Sequence, residues 1–356
     1  MTEKLELLRS LCLAFGPSGC EDNVRELILE EGKKYSSDFT VDSMGNLVFR
    51  FRPENATKKM MISAHMDEVG FMVHTVTDEG YLKFSTLGGI DERVLSGRCV
   101  TVGNETRKIS GVIISKAIHH QSAEERKKST PAKDMLIDIG ATSKEEAEKL
   151  VEIGDFGTFD SEFYLFGEEN APQIKSKALD DRLGCAVMLL TMKKIASGEI
   201  KPTVEIDFCF TVREELGLSG AKVVAERLAP DYAVVLETTA IADIANVQPA
   251  MRVAEVGKGG VISLLDRSTI YDTGFVRYAL DTADKHRIPA QVKRFVSGGN
   301  DAGHIHKSGK GVKCLALSAP TRYLHSPACV TALSDYEAIE ALVAAILNDA
   351  DFERKV

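Results

Sequence analysis

Imidazole and carboxylate groups recur in this chain at His65-Met66-Asp67, Asp180-Asp181, Glu214-Glu215, Glu237 and His325. Nitrogen and carboxylate-oxygen donors of this kind suit Zn²⁺ or Co²⁺, and no thiolate accompanies them to make a structural knot. Carboxylates gathered in one place repel one another unless a multivalent cation sits among them. Each residue taken alone also has an ordinary reading, as an exposed acid or a hydrogen-bonded histidine. Spacing by itself leaves both readings open.

What brings them together is a pattern of alternating elements. Leu5, Leu8 and Leu11 begin a short amphipathic helix, and a second helix is expected over 21–31, with Val24, Leu27 and Ile28 inward. Strands are expected at 60–65, 203–212, 233–237 and 312–318, and helices at 181–195, 219–228, 272–286 and 334–348. This alternation predicts an α/β fold, a mostly parallel sheet with helices on both faces. In such sheets chemistry gathers beyond the carboxyl ends of the strands. His65, Glu214-Glu215 and Glu237 each fall at a strand end, Asp180 precedes a helix and His325 follows a strand. All five positions can therefore share one rim.

Residues 70–165 break the alternation into short β-like pieces separated by Gly, Asp and Asn turns. They read as a small β-rich domain inserted into a catalytic domain made of 1–69 and 166–356. Within it, the charged run 123–134 reads as a solvated loop and 143–150 as a short capped helix. The glycine-rich segment 256–263 has no phosphate-binding pattern and is assigned to turns.

Composition narrows the function classes. Forty-four basic against 53 acidic residues leave a net charge of -9, which disfavours general binding to nucleic acid. Seven scattered cysteines with no CxxC pair indicate neither a redox dithiol nor a thiolate zinc site. The amino-terminal residues lack the pattern of a secretory signal, and no apolar run reaches membrane-spanning length. A cytoplasmic location is the expectation.

The ordered motifs AHMDEVGF (64–71), GGIDERVLSGRCV (88–100), DIGA (138–141), KALDDRLG (177–184), EELGLSGA (214–221), GGNDAG (298–303) and PTRYLHSP (320–327) run through most of the chain. Through them it resembles the tetrahedral-shell (TET-type) metallo-aminopeptidases, dinuclear zinc or cobalt exopeptidases that include glutamyl, leucyl and lysyl types. The resemblance implies two divalent ions per subunit. His65 and Glu237 would hold one, Glu215 and His325 the other, and Asp180 would bridge them. Glu214 would be the general base and Asp67 would orient His65. It also implies a cis peptide at Asp180-Asp181 and a PDZ-like β-barrel in the inserted domain that helps twelve subunits enclose a tetrahedral particle. Glu237 departs from the Asp more usual there, which bears on metal preference.

The expected activity is removal of the first residue from peptides with a free N-terminus, by a hydroxide held between two ions. A deacylase or carboxypeptidase on the same ions is the nearest rival, distinguished by its response to N-acylated peptides. A noncatalytic peptide-binding scaffold is the rival of another class. His304, His306, His119 and His120 are read as lying off the metal site. Serine and cysteine hydrolase motifs are absent.

Overall fold

A computed structural model describes residues 2–356. Its central sheet has eight strands, ordered in space Phe39–Val41, Leu47–Phe51, Glu205–Thr211, Lys59–His65, Tyr232–Ala240, Lys313–Thr321, Gly260–Ile262 and Ala290–Val292. The four from Glu205–Thr211 to Lys313–Thr321 are parallel, and their residues are almost wholly buried. This is what continuous apolar runs such as MMISA and YAVVL require, since both faces are covered. The edges turn antiparallel, through Leu47–Phe51 on one side and Gly260–Ile262 on the other. The helices Glu3–Leu13, Asp22–Gly32 and Leu333–Leu347 pack with Leu179–Ala196, which lies against the sheet, and Ser219–Leu228 packs with Ala302–Ile305.

The parallel register aligns the strand ends. Thr211 stands opposite His65, and Glu237 opposite Ser318, so the residues just beyond share one edge. The expected rim is therefore real. Four of the eight strands go beyond expectation: Phe39–Val41, Leu47–Phe51 and Ala290–Val292 have no counterpart in the sequence reading, and 260–262 lies in the sheet where the glycine-rich segment is assigned to turns. The glycines reflect tertiary contacts that periodicity cannot report. Gly257 and Gly259 donate their N–H groups to Asp335 at 2.7 Å each, and a Cβ on Gly259 would lie 2.1 Å from the carbonyl of Pro289.

Between Gly70 and Phe159 the chain closes a six-stranded barrel with its own core. Phe71 packs edge-on against Phe84 and Phe159, each at 5.2 Å, inside it. The run 123–134 is exposed, broken by short 3₁₀ turns, and Ser143 caps the short helix Lys144–Ala147. A buried ion cluster ties barrel to sheet. Glu68 accepts from Lys177 Nζ at 2.5 Å, from Thr158 Oγ1 of the barrel at 2.8 Å, and from Arg182 Nη2 at 3.4 Å. Arg182, fully buried, also donates to the carbonyls of Met66, Leu11 and Gly16 at 2.6, 2.5 and 3.1 Å. No helix among the described residues is long and apolar enough to cross a membrane.

Candidate metal centre

His65 ends its strand with the imidazole buried. Nδ1 lies 3.0 Å from the carbonyl of Asp67 and 3.4 Å from Asp67 Oδ1, which fixes the ring and leaves Nε2 pointing inward. Nε2 is then 3.2 Å from Asp180 Oδ1 and 3.7 Å from Glu237 Oε1. His325 is anchored the same way, Nδ1 lying 2.7 Å from the carbonyl of Gly89, and its Nε2 reaches Asp180 Oδ2 and Glu215 Oε1 at 3.2 Å each. In both rings a backbone carbonyl accepts from Nδ1, so Nε2 carries the lone pair once the ring is neutral.

Asp180 thus lies between the two histidines, one oxygen toward each. The ligand-type atoms form two groups, His65-Asp180-Glu237 and Asp180-Glu215-His325, and within each they lie within 4.8 Å of one another. Glu214 belongs to neither group, yet its Oε2 comes to 4.0 Å of His65 Nε2.

Local backbone explains these directions. Ala178 adopts a left-handed conformation just before the helix, and Asp180 and Asp181 depart from helical angles, with a cis peptide between them. Asp181 turns its carboxylate back to the N–H of Gly184 at 3.1 Å, and a Cβ there would come within 2.5 Å of that carboxylate. A side chain at residue 184 would therefore have to displace that carboxylate. His325 itself has φ 58°, and Arg213, before the paired glutamates, has φ 55°. Left-handed non-glycine residues are uncommon and here bracket the site. Asp67 accepts from the N–H groups of Glu214 and Glu215 at 3.0 and 3.1 Å, a grip the sequence did not disclose.

Electrostatics test whether cations fit. No lysine or arginine pairs with Asp180, Glu214, Glu215 or Glu237 among the described residues; their close partners are the two histidines. Burial and neighbouring carboxylates hold the Glu214 and Glu237 carboxyls well above the ordinary range and raise Glu215 to about 7. Burial opposes charge on His325, but Asp180 and Glu215 prevail and raise it to about 9. A site that is this short of fixed positive charge, with two Nε2 atoms facing shared carboxylates, fits two divalent ions. Mixed N/O donors suit Zn²⁺ or Co²⁺. The longer Glu237 side chain still reaches the first group.

The two groups border a cleft of about 520 Å³, lined also by Thr238, Arg267, Lys293 and Asn300. Neither cation was singled out in the sequence, because neither lies in a motif of ligand type. Thr238, Thr239 and Ala240, at the end of their strand, also line the cleft. His306 bonds its own helix, at the carbonyl of Ala302, and His119 and His120 are exposed on the barrel.

Residues 45–342 match the family described as M42 glutamyl aminopeptidase. A TET aminopeptidase from a marine-sediment Thaumarchaeota archaeon superposes with a TM-score of 0.94 at 35% identity, covering 99% of this chain and 97% of that one. An aminopeptidase from Desulfurococcus kamchatkensis gives 0.92 at 33% identity, covering 99% and 96%. The TET1 peptidase of Pyrococcus horikoshii, which assembles into a tetrahedron or a large octahedral shell, gives 0.85 at 35% identity, covering 98% and 100%.

Metal binding by metal-free protein should release protons. Raised carboxyls and imidazoliums are protonated at low pH and must ionise, or become neutral, before they can ligate. With Glu215 near 7 and His325 near 9, apparent affinity for Zn²⁺ should rise with pH between about 6 and 8, by roughly tenfold per unit or more. Calorimetry in buffers of different ionisation enthalpy checks this. A pH-independent affinity without proton release contradicts it.

Proposed function

We propose that this chain, which belongs to the M42 glutamyl aminopeptidase family, removes the first residue from peptides with a free N-terminus at its paired site. The observation that carries the reading is two ligand groups sharing Asp180, with a further carboxylate, Glu214, beside them and outside both. His65, Asp180 and Glu237 would hold one ion, and Asp180, Glu215 and His325 the other, with zinc or cobalt suited to both. When bound, the ions acidify water and polarise the scissile carbonyl.

The remaining chemistry belongs to the chain's own residues. Glu214 takes a proton from the attacking water and returns it to the leaving amine nitrogen. Asp67 does not touch the reacting atoms. It orients His65 and holds the backbone of Glu214 and Glu215 in place. This reading requires a free substrate amine, which separates the enzyme from a deacylase. Glu214→Gln should keep metal content and lower kcat by about 10²- to 10⁴-fold, while N-acetylated peptides stay uncleaved by the unaltered enzyme. Turnover unchanged in Glu214→Gln sinks the general-base assignment.

The first residue's side chain is read from the cleft's two cations. Lys293 Nζ donates to the carbonyl of Ser297 at 2.8 Å, and neither it nor Arg267 makes an ion pair among the described residues. The nearby carboxylate of Asp266 is taken up by the N–H groups of Ser268 and Thr269 and the hydroxyl of Tyr271. A half-buried ammonium without a carboxylate partner suits an acidic first residue. Glutamyl p-nitroanilide should be cleaved in preference to the leucyl and lysyl substrates. Lys293→Met should lower kcat/KM for the glutamyl substrate by about 30-fold, roughly 2 kcal/mol, and leave the leucyl substrate little changed. Equal loss on both substrates contradicts the assignment.

The barrel is read as an assembly module that helps close a tetrahedral shell of twelve subunits around the active sites. Light scattering of metal-loaded protein should give a mass about twelve times the 38.8 kDa of one chain. A monomer at working concentration removes this reading.

A further inference from the structure

Glu21 is a buried carboxylate that the proposed chemistry does not use. It precedes the helix Asp22–Gly32 but makes no capping bond to it. It is 4% exposed, and no lysine or arginine pairs with it among the described residues. Its Oε1 instead accepts from the N–H of Gly19 at 2.8 Å and from the N–H of Arg213 at 3.1 Å, 192 residues away in sequence. Burying a carboxylate on N–H donors alone is costly unless the geometry it enforces matters.

That geometry is the paired-glutamate turn. Arg213, Glu214 and Glu215 present three successive N–H groups, the first from a left-handed residue. Runs of N–H groups in such conformations form concavities for anions. Two carboxylates fill this one: Glu21 takes the first N–H, and Asp67 takes the second and third. The loop carrying Glu21 is itself stitched beside Asp67. Ser18 N–H donates to the carbonyl of Glu68 at 3.0 Å, and Glu68 N–H to the carbonyl of Gly16 at 3.1 Å.

We infer that Glu21 is a positioning residue that locks the Arg213–Glu215 turn, so that the carboxylates of Glu214 and Glu215 face the metal centre. This rests on the roles proposed above for those two glutamates. The needed feature is an acceptor oxygen at Oε1, not a charge. Gln therefore replaces it, whereas Ala removes it and Asp withdraws it by one methylene.

The test compares Glu21→Ala, Glu21→Asp and Glu21→Gln in the full metal-loaded chain, with unaltered enzyme and Glu214→Gln alongside. Turnover is measured together with a titration of metal-free protein by Co²⁺, followed by its visible absorption. Ala and Asp should lose about 10- to 100-fold in kcat, with KM moving much less, and should bind the second cobalt more weakly. Gln should stay close to the unaltered enzyme in both readouts. If Ala does not fold, the contrast between Asp and Gln decides. Normal kcat and cobalt binding in Ala or Asp overturns the inference. So does a Gln variant that falls as far as the others, or a loss confined to melting temperature. A Glu214→Gln enzyme that remains active faults the general-base role instead, and the cobalt titration still judges Glu21.

Discussion

Carboxylates withdrawn from water, with no fixed cation to balance them, are the constraint on which this site depends. Asp180, Glu214, Glu215 and Glu237 meet at one edge of the sheet, and only two imidazoles accompany them. A folded chain bears such a concentration of like charge by holding protons there or by holding metal ions. The two occupants compete for the same oxygen and nitrogen atoms, so folding, metal affinity and pH are linked through one set of side chains. Chemistry inherits that link, because the group assigned to move protons lies within the same charge cluster as the ligands.

Convergence alone does not make a site; direction does. Both imidazoles are turned by backbone carbonyls, those of Asp67 and Gly89, so that in each it is Nε2 that faces Asp180. Gly89 precedes the inserted barrel's third strand, and His325 lies far along the chain in the catalytic domain. One ring is therefore oriented across the boundary between barrel and sheet. The barrel is thus more than an appendage, since removing it would take away the acceptor that sets the tautomer of His325.

Much of this was legible in the sequence. Apolar runs with a period of two or with none located the parallel strands, and the positions of His65, Glu214-Glu215, Glu237 and His325 relative to strand ends placed them on a common rim. The resemblance carried by the ordered motifs went further and implied a shared Asp180, the residue that the two candidate ligand groups have in common. The parts that stayed hidden are those set by contacts between distant segments. Glu21 looked like the first residue of a helix, because nothing local shows a carboxylate reaching the N–H of Arg213. Lys293 and Arg267 fall in none of the sequence motifs, and only the packed cleft brings them beside the ligands. The strand at 260–262 was masked by glycines that answer to Asp335 and Pro289, not to strand propensity.

The distribution of positive charge follows from the same need. Lys177 and Arg182 flank Asp180 at three and two residues' distance, close enough in sequence to neutralise it. Helix geometry and the turn at Ala178 send both the other way, onto Glu68 and the carbonyls of Met66, Leu11, Ala14 and Gly16. Two buried cations share one buried carboxylate there and lean on carbonyl oxygens for the rest. An arginine or lysine turned toward Asp180 would relieve the crowding of carboxylates, and in doing so would occupy the place of the divalent ions. By diverting both cations into the joint between barrel and sheet, the fold ties that joint together and leaves the candidate metal centre without a fixed cation. The buried joint and the uncompensated acids of the candidate centre follow from one choice of side-chain direction.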